Sequence, residues 1–404
     1  MDNQQLVSEL HKAGHLSDDR VAAAFEAVQR GLFLPSVPPE QVYVDQPVYT
    51  RNDERGGFVG GSDQPSQIAD LLTLAALEER LNVLEIGTGT GHSAALISEI
   101  VGANGHVTTM EIDRETAEGA RDALQRGRHG EVNVVHADGA GGYAQRASYD
   151  RIISTVAIWD VPEAWIRQLR PNGLIVTPIF LDGLQVVGAF RLQSNGELYS
   201  DAIRSCAFVS ILGAAQPPMQ HLYMGGGSAL RLYSNEVRTI DSARLHLLMS
   251  HDAERCHMGA APSERDYWDG FAPFLMMHVP PAYEFVCYAV EGDKLVYGLA
   301  GRGFALITQG GASFVNAQEL GDTHCFGGVD AFLEVDRVYG EWEALGSPTI
   351  DTMRIRLMPI PADERGERRV PDEGYLYQRQ QHQIHVFLVL ESDPHHDDNP
   401  TPRK

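Results

Sequence analysis

Lysine and cysteine are scarce in this 404-residue sequence, which has only Lys12, Lys294 and Lys404 as lysines and four cysteines. Arginine therefore carries nearly all of the positive charge. Asp and Glu total 55 against 32 for Lys and Arg, so the formal charge is −23. This acidity argues against a general basic surface for nucleic acid or anionic membranes. The cysteines lie far apart without a CxxC pair, which argues against a disulfide framework and a zinc ribbon.

Long hydrophobic runs are also lacking. No stretch approaches the roughly 18 uncharged apolar residues that a membrane-spanning helix needs. The start, MDNQQLVSELHKAGHLSDDR, has no apolar signal-peptide core. We therefore expect a cytoplasmic protein with reduced cysteines. His251, Cys256 and His257 lie within seven residues, but no second pair accompanies them, so we predict no metal site.

The first part of the chain indicates helices followed by a loop. Residues 1–35 carry apolar residues at helical spacing. Residues 40–65 are too rich in glycine and proline for a helix and indicate an irregular loop. The next segment, SQIADLLTLAAL, predicts a helix with a cap near Ser62 to Ser66.

From residue 81 short apolar runs alternate with amphipathic helical segments. The strand candidates are LNVLEIG (81–87), HVTTMEI (106–112), VNVVHAD (132–138), YDRIISTV (149–156) and GLIVTPIF (173–180). Nearly all-apolar strands separated by helices predict a parallel sheet covered on both faces. The predicted fold is a doubly wound, Rossmann-like α/β domain.

A change of character near residues 213–228, which include Pro217-Pro218 and Gly225 to Gly227, marks a boundary. We expect a catalytic domain over 1–215, with a helical part over 1–80. A second α+β domain is expected over 225–390, with strands that include LVYGLA (295–300), MRIRLMPI (353–360) and IHVFLVLE (384–391). The polar tail, 391–404, is expected to be disordered.

The segment VLEIGTGTGHSAAL (83–96) carries the strongest chemical signal. An apolar strand runs into a Gly-x-Gly-x-Gly turn, and a helix follows. Gly87, Gly89 and Gly91 allow a sharp bend and close approach to a ligand. The turn lies at the C-terminal end of the first strand, where open α/β sheets bind ligands.

Two cofactors compete for this turn. A dinucleotide site uses GxGxxG, whose third glycine lies inside the helix, whereas the spacing here is GxGxG. S-adenosylmethionine instead needs an acid for its ribose hydroxyls and a polar contact for adenine, and Glu111 and Asp138 stand at successive strand ends. These positions favour S-adenosylmethionine. The predicted cofactor-binding residues are Glu85, Gly87, Thr88, Gly89, Gly91, His92, Glu111, Ile112, Asp138 and Gly139.

The motifs together resemble the protein-L-isoaspartate O-methyltransferase family from about residue 5 to about residue 210. The resemblance rests on LEIGTGTGH, YVDQP (43–47), HADG (136–139), the segment from Ile153 to Ile179 and a Gly-Gly-x-x-Gln-Pro stretch at 60–65. It implies methyl transfer from S-adenosylmethionine to a carboxylate of a peptide or protein. A carboxylate is ionised at neutral pH, with an ordinary pKa of about 4, so alignment and desolvation suffice without a strong base.

The resemblance also implies where the substrate binds. The loop FVGGSDQPS (58–66) would close on it, with glycine N–H groups holding a carboxylate. The predicted substrate-binding residues are Val59, Gly60, Gly61, Gln64, Ser66, Thr155 and Trp159, and the candidate catalytic residues are Ser62 and Asp63.

The sequence departs from the family at Asp63, where the family usually has serine. A carboxylate there repels an incoming carboxylate unless it is paired or protonated. The alternative is that Asp63 merely caps the following helix. The second departure is about 190 additional residues beyond residue 215.

This extension resembles that of homologues which modify ribosomally made peptides such as lanthipeptides and graspetides. They methylate an aspartate side chain, and the ester collapses to a succinimide or isoaspartate. Our first hypothesis is therefore a peptide-tailoring carboxyl methyltransferase. Repair of isoaspartate in damaged proteins is the alternative, and a non-catalytic peptide-binding protein is the third. We predict a peptide partner that carries aspartate, and no nucleic acid or membrane.

Overall fold

A computed structural model describes residues 2–52, 58–218, 220–225, 229–234, 236, 240–258, 262–280, 282–317, 321–360 and 374–389. The predicted tail, 391–404, lies outside these residues. Among the described residues, no helix is long and apolar enough to cross a membrane.

The N-terminal part is helical and contains a small two-stranded sheet. Its elements are α1 (Asn3–Ala13), α2 (Asp19–Ala27), α3 (Pro39–Val42), β1 (Val48–Asn52), β2 (Phe58–Ser62) and α4 (Pro65–Ala75), with a 3-10 turn at Arg30–Phe33. The prediction of an irregular loop over 40–65 was therefore wrong, because this span contains α3 and the antiparallel pair β1–β2. Strands this short and rich in glycine leave no readable alternation.

In the described part of the chain, ten strands form the first sheet. They are β3 (Asn82–Ile86), β4 (His106–Glu111), β5 (Asn133–His136), β6 (Tyr149–Ser154), β7 (Leu169–Leu181), β8 (Leu184–Leu192), β9 (Leu198–Ser205), β17 (Met353–Pro359), β18 (Tyr375–Gln378) and β19 (His382–Leu388), in the order β18-β19-β17-β9-β8-β7-β6-β3-β4-β5. The five strands β7-β6-β3-β4-β5 are parallel, as the apolar runs predicted. Strands β8 and β9 continue the sheet in antiparallel fashion.

Helices cover both faces of the parallel strands. They are α5 (His92–Val101), α6 (Arg114–Arg126) and α7 (Glu163–Gln168), with 3-10 turns at Gly139–Gly141 and Ala144–Arg146. Val83 and Ile153 point into a core with α1, α2, α4, α5 and α6. Leu84 and Ile152 point into a second core with Trp165 of α7. The period of two along each strand explains this division between the faces.

The strand order reverses between β3 and β6. The chain runs from β3 outward to β4 and β5, and then returns to the other side of β3 through β6 and β7. The loops after β3 and β6 therefore separate in opposite directions and leave a crevice at the C-terminal edge of the sheet. In open α/β sheets this switch point is where ligands bind.

Seven antiparallel strands among the described residues form the second sheet. They are β10 (Gln220–Met224), β11 (Leu230–Ser234), β12 (Glu254–His257), β13 (Glu284–Val290), β14 (Arg302–Ile307), β15 (Gly311–Asn316) and β16 (Asp322–Gly327), in the order β10-β11-β13-β14-β15-β16-β12. The helices of this region are α8 (Ser242–Leu248), α9 (Glu264–Asp266), a π-turn at Tyr267–Phe271, α10 (Ala272–His278) and α11 (Asp330–Ala344), and 3-10 turns lie at Gly213–Ala215 and Ile350–Thr352. The predicted strand LVYGLA is instead a tight turn with one isolated bridge, Val296 to Leu299.

The C-terminal strands do not follow the predicted boundary at residue 225. Strand β17 pairs with β9 of the first sheet, and β19 and β18 continue outward from it. Strand β17 joins the first sheet because buried and less buried side chains alternate along it. Met353, Ile355 and Leu357 are buried, and the arginines between them are not. Such a strand needs a sheet edge with one covered face. The edge of β9 supplies it from about 155 residues away.

Both sheets share one hydrophobic core. A single cluster contains Ile175 of β7, Phe285 of β13, Val338 of α11 and Ile355 of β17. Residues after 216 therefore pack against the parallel sheet itself rather than only against each other.

We predict that Ser200→Ala destabilises the protein through the junction of β9 with β17. The buried Ser200 hydroxyl accepts a hydrogen bond of 2.8 Å from the backbone N–H of Ile355. Alanine leaves that N–H group buried and unpaired, at about 1–3 kcal/mol. Chemical denaturation measures the loss. Ser194→Ala, in the exposed turn between β8 and β9, is the matched control, with a change of about 0.5 kcal/mol or less. Equal stability of the two variants would contradict the importance of this contact.

Candidate active site

The glycine turn follows β3 at the switch point of the first sheet. Gly87, Gly89 and Gly91 all have positive φ, at 96°, 51° and 86°. Only glycine adopts such angles without strain. Gly91 is the N-cap of α5, and Gly87 donates its N–H to the carbonyl of Met110 on the neighbouring strand β4. The turn is thus held against two parallel strands.

The end of β2 lies directly on this turn. The N–H of Thr90 donates to the carbonyl of Gly61 at 2.9 Å. A Cβ atom at Gly89 would collide with that same carbonyl oxygen, and one at Gly61 would come within 2.6 Å of the carbonyl oxygen of Val48. The glycines at 61 and 89 therefore let two backbone segments touch, and residues 60–63 form a wall beside the turn.

A cleft opens at this junction, and its empty space, including the part open to solvent, is about 770 Å³. Its lining combines the turn, β2, the ends of β4 and β6, and a segment after β9. The lining residues are Tyr49, Gly60, Gly61, Ser62, Asp63, Ile86, Gly87, Gly89, Met110, Glu111, Ile112, Gly139, Thr155, Val156, Val209, Ser210, Ile211 and Leu212.

Glu111 places a carboxylate in the lining of the cleft, at the end of β4. It accepts hydrogen bonds from the N–H groups of Gly89 at 3.0 Å and Asp113 at 3.1 Å. These contacts fix the carboxylate beside the glycine turn, where the sequence analysis expected an acid.

Glu85 adds a second carboxylate behind the turn. It is completely buried, and its Oε2 accepts from Thr109 at 2.5 Å. Burial raises the pKa of Glu85 to about 7, and the nearby charges of Asp63 and Glu111 act in the same direction. The other carboxylate oxygen of Glu85 has no hydrogen-bond partner among the described residues.

These residues fit S-adenosylmethionine. Glu85 lies behind the turn and does not line the cleft, but a cationic ligand beside the turn compensates its charge and that of Glu111. Glu111 at the cleft edge can bind hydroxyl groups. Ile86, Met110 and Ile211 offer apolar contacts for a purine ring.

Asp63 lines the cleft and is not the cap of α4. Burial raises its pKa to about 7, while the charge of Arg30 opposes the shift. The cap role belongs to Asp45, whose carboxylate accepts from the N–H of Ser66 at 2.8 Å and from the side chain of Gln64 at 3.0 Å. The cap expected near Ser62 to Ser66 thus comes from another segment. Ser66 and Gln64 are occupied by this contact and do not line the cleft.

Arg30, which the sequence analysis did not single out, holds this wall from behind. Its guanidinium is buried and donates to the carbonyl groups of Val42, Val44, Gln46 and Asp63 at 2.7 to 3.2 Å. Burial lowers its pKa to about 10, so it remains charged at neutral pH. No sequence signal marked it, because an arginine beside a short helix is ordinarily solvated.

Several other predicted site residues lie outside the cleft lining. His92 is buried between Phe25 and Phe33, and burial lowers its pKa to about 3, so it is neutral. Asp138 accepts hydrogen bonds from the N–H groups of Ala140 and Ala214 and leaves only its neighbour Gly139 at the cleft. Two more predicted residues lie outside the lining. They are Thr88, whose hydroxyl group hydrogen-bonds that of Thr109, and Gly91, the N-cap of α5. The side chain of Val59 lies outside the described residues.

The loop after β6 is held by the C-terminal strands. Thr155 lines the cleft and donates to the carbonyl of Gly87 at 2.7 Å. Trp159 instead stacks on the guanidinium of Arg379, 4.6 Å from its ring centre, rather than facing the cleft. Arg379 is fully buried and pairs with Glu236. Asp160 likewise pairs with His382 at 2.7 Å.

No sequence pattern marks Tyr49 or the segment 209–212 as cleft residues, although both line the cleft. Tyr49 lies on β1, inside the span expected to be irregular. Ser210 reaches the site through an isolated parallel bridge to Ala157, which no local pattern announces. No group of three or more His, Cys, Asp or Glu residues is placed for a metal ion in the described part of the chain.

The fold and the cleft define an α/β methyltransferase that uses S-adenosylmethionine. The family described as protein-L-isoaspartate(D-aspartate) O-methyltransferase matches residues 1–216. Protein-L-isoaspartate O-methyltransferases from Methanopyrus kandleri and Hyperthermus butylicus are each 34% identical over 52% of this chain and cover 91% and 88% of their own lengths. The chain belongs to this family. The predicted fold, cofactor and family resemblance are confirmed, and the chain is an enzyme of this type.

A solved protein-L-isoaspartate O-methyltransferase resembles the fold beyond residue 216. It matches 88% of this chain and 96% of its own length, with a TM-score of 0.51 and 22% identity. This likeness concerns the fold alone. The expected tailoring of ribosomal peptides stays a prediction.

We predict that Gly89→Ala weakens cofactor binding because its methyl group forces the turn away from Gly61. The dissociation constant of S-adenosylhomocysteine, measured by calorimetry, should rise at least about tenfold, or 1.4 kcal/mol. Gly14→Ala is the matched control, since Gly14 also has a positive φ, 86°, but has nothing within 4 Å of an added Cβ. It should lose about 1–2 kcal/mol of stability and keep its affinity. Equal affinities of the two variants would contradict the packing role of Gly89.

Proposed function

We propose that this enzyme methylates the carboxylate of an aspartyl or isoaspartyl residue within a peptide. The observation that carries the proposal is the contact of residues 60–63 with the glycine turn. A substrate carboxylate seated on this wall lies beside the cofactor turn, which brings the two reactants together.

The reaction needs little from acid–base groups. S-adenosylmethionine supplies an electrophilic methyl group on a sulfonium. A substrate carboxylate oxygen forms the new O–CH₃ bond, and the electrons of the broken C–S bond stay on sulfur. No proton moves, because the carboxylate is already ionised. The protein's task is to align this carboxylate and exclude water, which the apolar residues Met110, Ile211 and Leu212 favour.

Asp63 gives the site a carboxyl group whose protonation matters. With a pKa of about 7, it is largely protonated in mildly acidic solution and can then donate a hydrogen bond to the substrate carboxylate. Ionised Asp63 repels that carboxylate instead. Ser62 beside it is buried in the same wall and offers a hydroxyl donor at any pH.

We further propose that the substrate is a ribosomally made, crosslinked peptide. The support is the departure at Asp63 and the second sheet, whose strands line a groove next to the cleft. After methylation, the next backbone nitrogen attacks the ester carbonyl, the N–C bond forms, and methoxide leaves with the amide proton as methanol. Repair of isoaspartate in damaged proteins remains the second candidate, which the names of the relatives favour.

Mass spectrometry with two peptides separates these candidates. One peptide is linear and carries a single isoaspartate; the other carries aspartate within a side-chain crosslink. Tailoring predicts gain of a methyl group and then loss of methanol only on the crosslinked peptide, because its ring holds the ester near the attacking nitrogen. Methylation of the linear peptide alone would contradict tailoring and leave repair. Glu111→Gln is the inactive control, since it removes the charge that faces the cofactor.

We predict that kcat/KM for the peptide falls as pH rises through about 7. Above a pH of about 5 the substrate carboxylate is ionised, so the fall reports ionisation of Asp63, whose protonated form favours binding. Asp63→Asn should abolish the fall, because the amide cannot ionise. Glu85 has a similar pKa and remains in this variant. A fall that persists in Asp63→Asn would therefore assign the titration to another group and contradict the role of Asp63.

A further inference from the structure

A second and larger groove lies between the two sheets. Its empty space, including the part open to solvent, is about 1,890 Å³, larger than that of the cleft by the same measure. One wall comes from β7, β8 and the segment after β9, and the other from β10, β11, β13 and β14 of the second sheet. Val209, Ser210 and Leu212 line both this groove and the methyl-transfer cleft. The segment 209–212 therefore separates two neighbouring openings, and a peptide bound in the cleft has the groove beside it.

The groove has the opposite charge to the molecule as a whole. Arg231 and Arg302 lie in its wall, and its described lining contains no Asp or Glu, although the chain has a net charge of −23. Neither guanidinium forms a salt bridge with a described residue. Asp182, next to the lining residue Gly183, is buried and accepts a hydrogen bond from Ser234 at 2.6 Å.

The second sheet places the two guanidinium groups on the same face. Arg231 on β11 pairs with Ala289 on β13, and Ala289 pairs with Arg302 on β14. Two strand spacings put the arginine backbones about 10 Å apart. The methyl side chain of Ala289 leaves the space between them free.

Aromatic rings hold both arginines in place. The guanidinium of Arg231 lies 4.9 Å from the ring centre of Tyr233, and that of Arg302 lies 5.4 Å from the ring centre of Trp268. Stacking leaves the edge of each guanidinium available for a bidentate contact with a carboxylate. It also reduces the side-chain entropy lost on binding.

We infer that this groove binds an acidic segment of the peptide substrate, on one side of the residue that is methylated. The inference rests on the proposed function, because the cleft fixes the other end of the peptide. Carboxylates of the segment pair with Arg231 and Arg302. The apolar surfaces of Phe180 and Met276 in the same groove accommodate neighbouring side chains. The groove thus selects peptides whose modified residue is flanked by Asp or Glu.

Fluorescence anisotropy with three labelled peptides tests the inference on the full chain, and each peptide is made in two forms, one with a linear isoaspartate and one with aspartate within a side-chain crosslink. One peptide has no extension, one carries four glutamates next to the residue to be methylated, and one carries four glutamines at the same place. The extended peptides are made with the extension on the N-terminal side and with it on the C-terminal side. We expect the glutamate peptide to bind at least about tenfold tighter than the glutamine peptide, with a preference that weakens at high salt. The double variant R231Q/R302Q should lose this preference, and R231K/R302K should keep part of it.

Arg255→Gln is the matched control, because Arg255 lies on the edge strand β12, is 65% exposed and pairs loosely with Asp322. It should leave the preference unchanged. Equal binding of the glutamate and glutamine peptides, or an unchanged preference in R231Q/R302Q, would overturn the inference.

Methyl transfer to the same peptides separates this inference from the proposed function. Methylation of the unextended peptide without any acidic preference rejects the groove and keeps the function. Tight, arginine-dependent binding of the glutamate peptide without methylation of any peptide rejects the function and keeps the groove. R231Q/R302Q should methylate the unextended peptide at the wild-type rate, since neither arginine lines the cleft.

Discussion

The buried guanidinium of Arg30 is the interaction on which one whole wall of the active site depends. Its hydrogen bonds to four carbonyl groups tie residues 42–46 to Asp63. A buried charge is costly unless it is well paired, and here carbonyl dipoles and two nearby carboxylates, Asp45 and Asp63, compensate it. Because Asp45 in turn caps α4, the same group orients the helix that follows the wall.

The position of this wall determines the chemistry that the cleft can perform. Residues 60–63 rest on the glycine turn through the carbonyl of Gly61, so the proposed substrate wall and the cofactor turn share one boundary. The turn itself is held by strands β3 and β4, and Thr155 binds it from the loop after β6. The C-terminal strands hold that loop through Arg379 and His382. Elements far apart in sequence thus meet within one small crevice.

The parallel sheet was predictable, because local patterns encode it, and five of the ten residues predicted to bind the cofactor line the cleft, namely Gly87, Gly89, Glu111, Ile112 and Gly139. Apolar runs marked β3 to β7, and the spacing of Gly87, Gly89 and Glu111 placed the turn and the acid at strand ends. Arg30 and Ser210 were not predictable from the residues alone, since their roles arise from contacts between distant segments. Asp138 lies outside the cleft lining for the same reason. One of its carboxylate oxygens accepts a hydrogen bond from the N–H of Ala214, which is 76 residues away.

The predicted domain boundary near residue 225 also shows that local sequence patterns do not reveal contacts between distant segments. Composition changes there, and the second sheet does begin there, but alternation in β17 does not reveal which sheet edge it will join. The outcome matters for recognition. Since β17 to β19 extend the first sheet and α11 shares its core, the second sheet is held at a defined distance from the cleft rather than on a tether. A groove bounded by two fixed sheets can recognise the flanking residues of a substrate by position. Residues of the segment 209–212 line both the groove and the cleft, so this recognition would take place next to the site of methyl transfer.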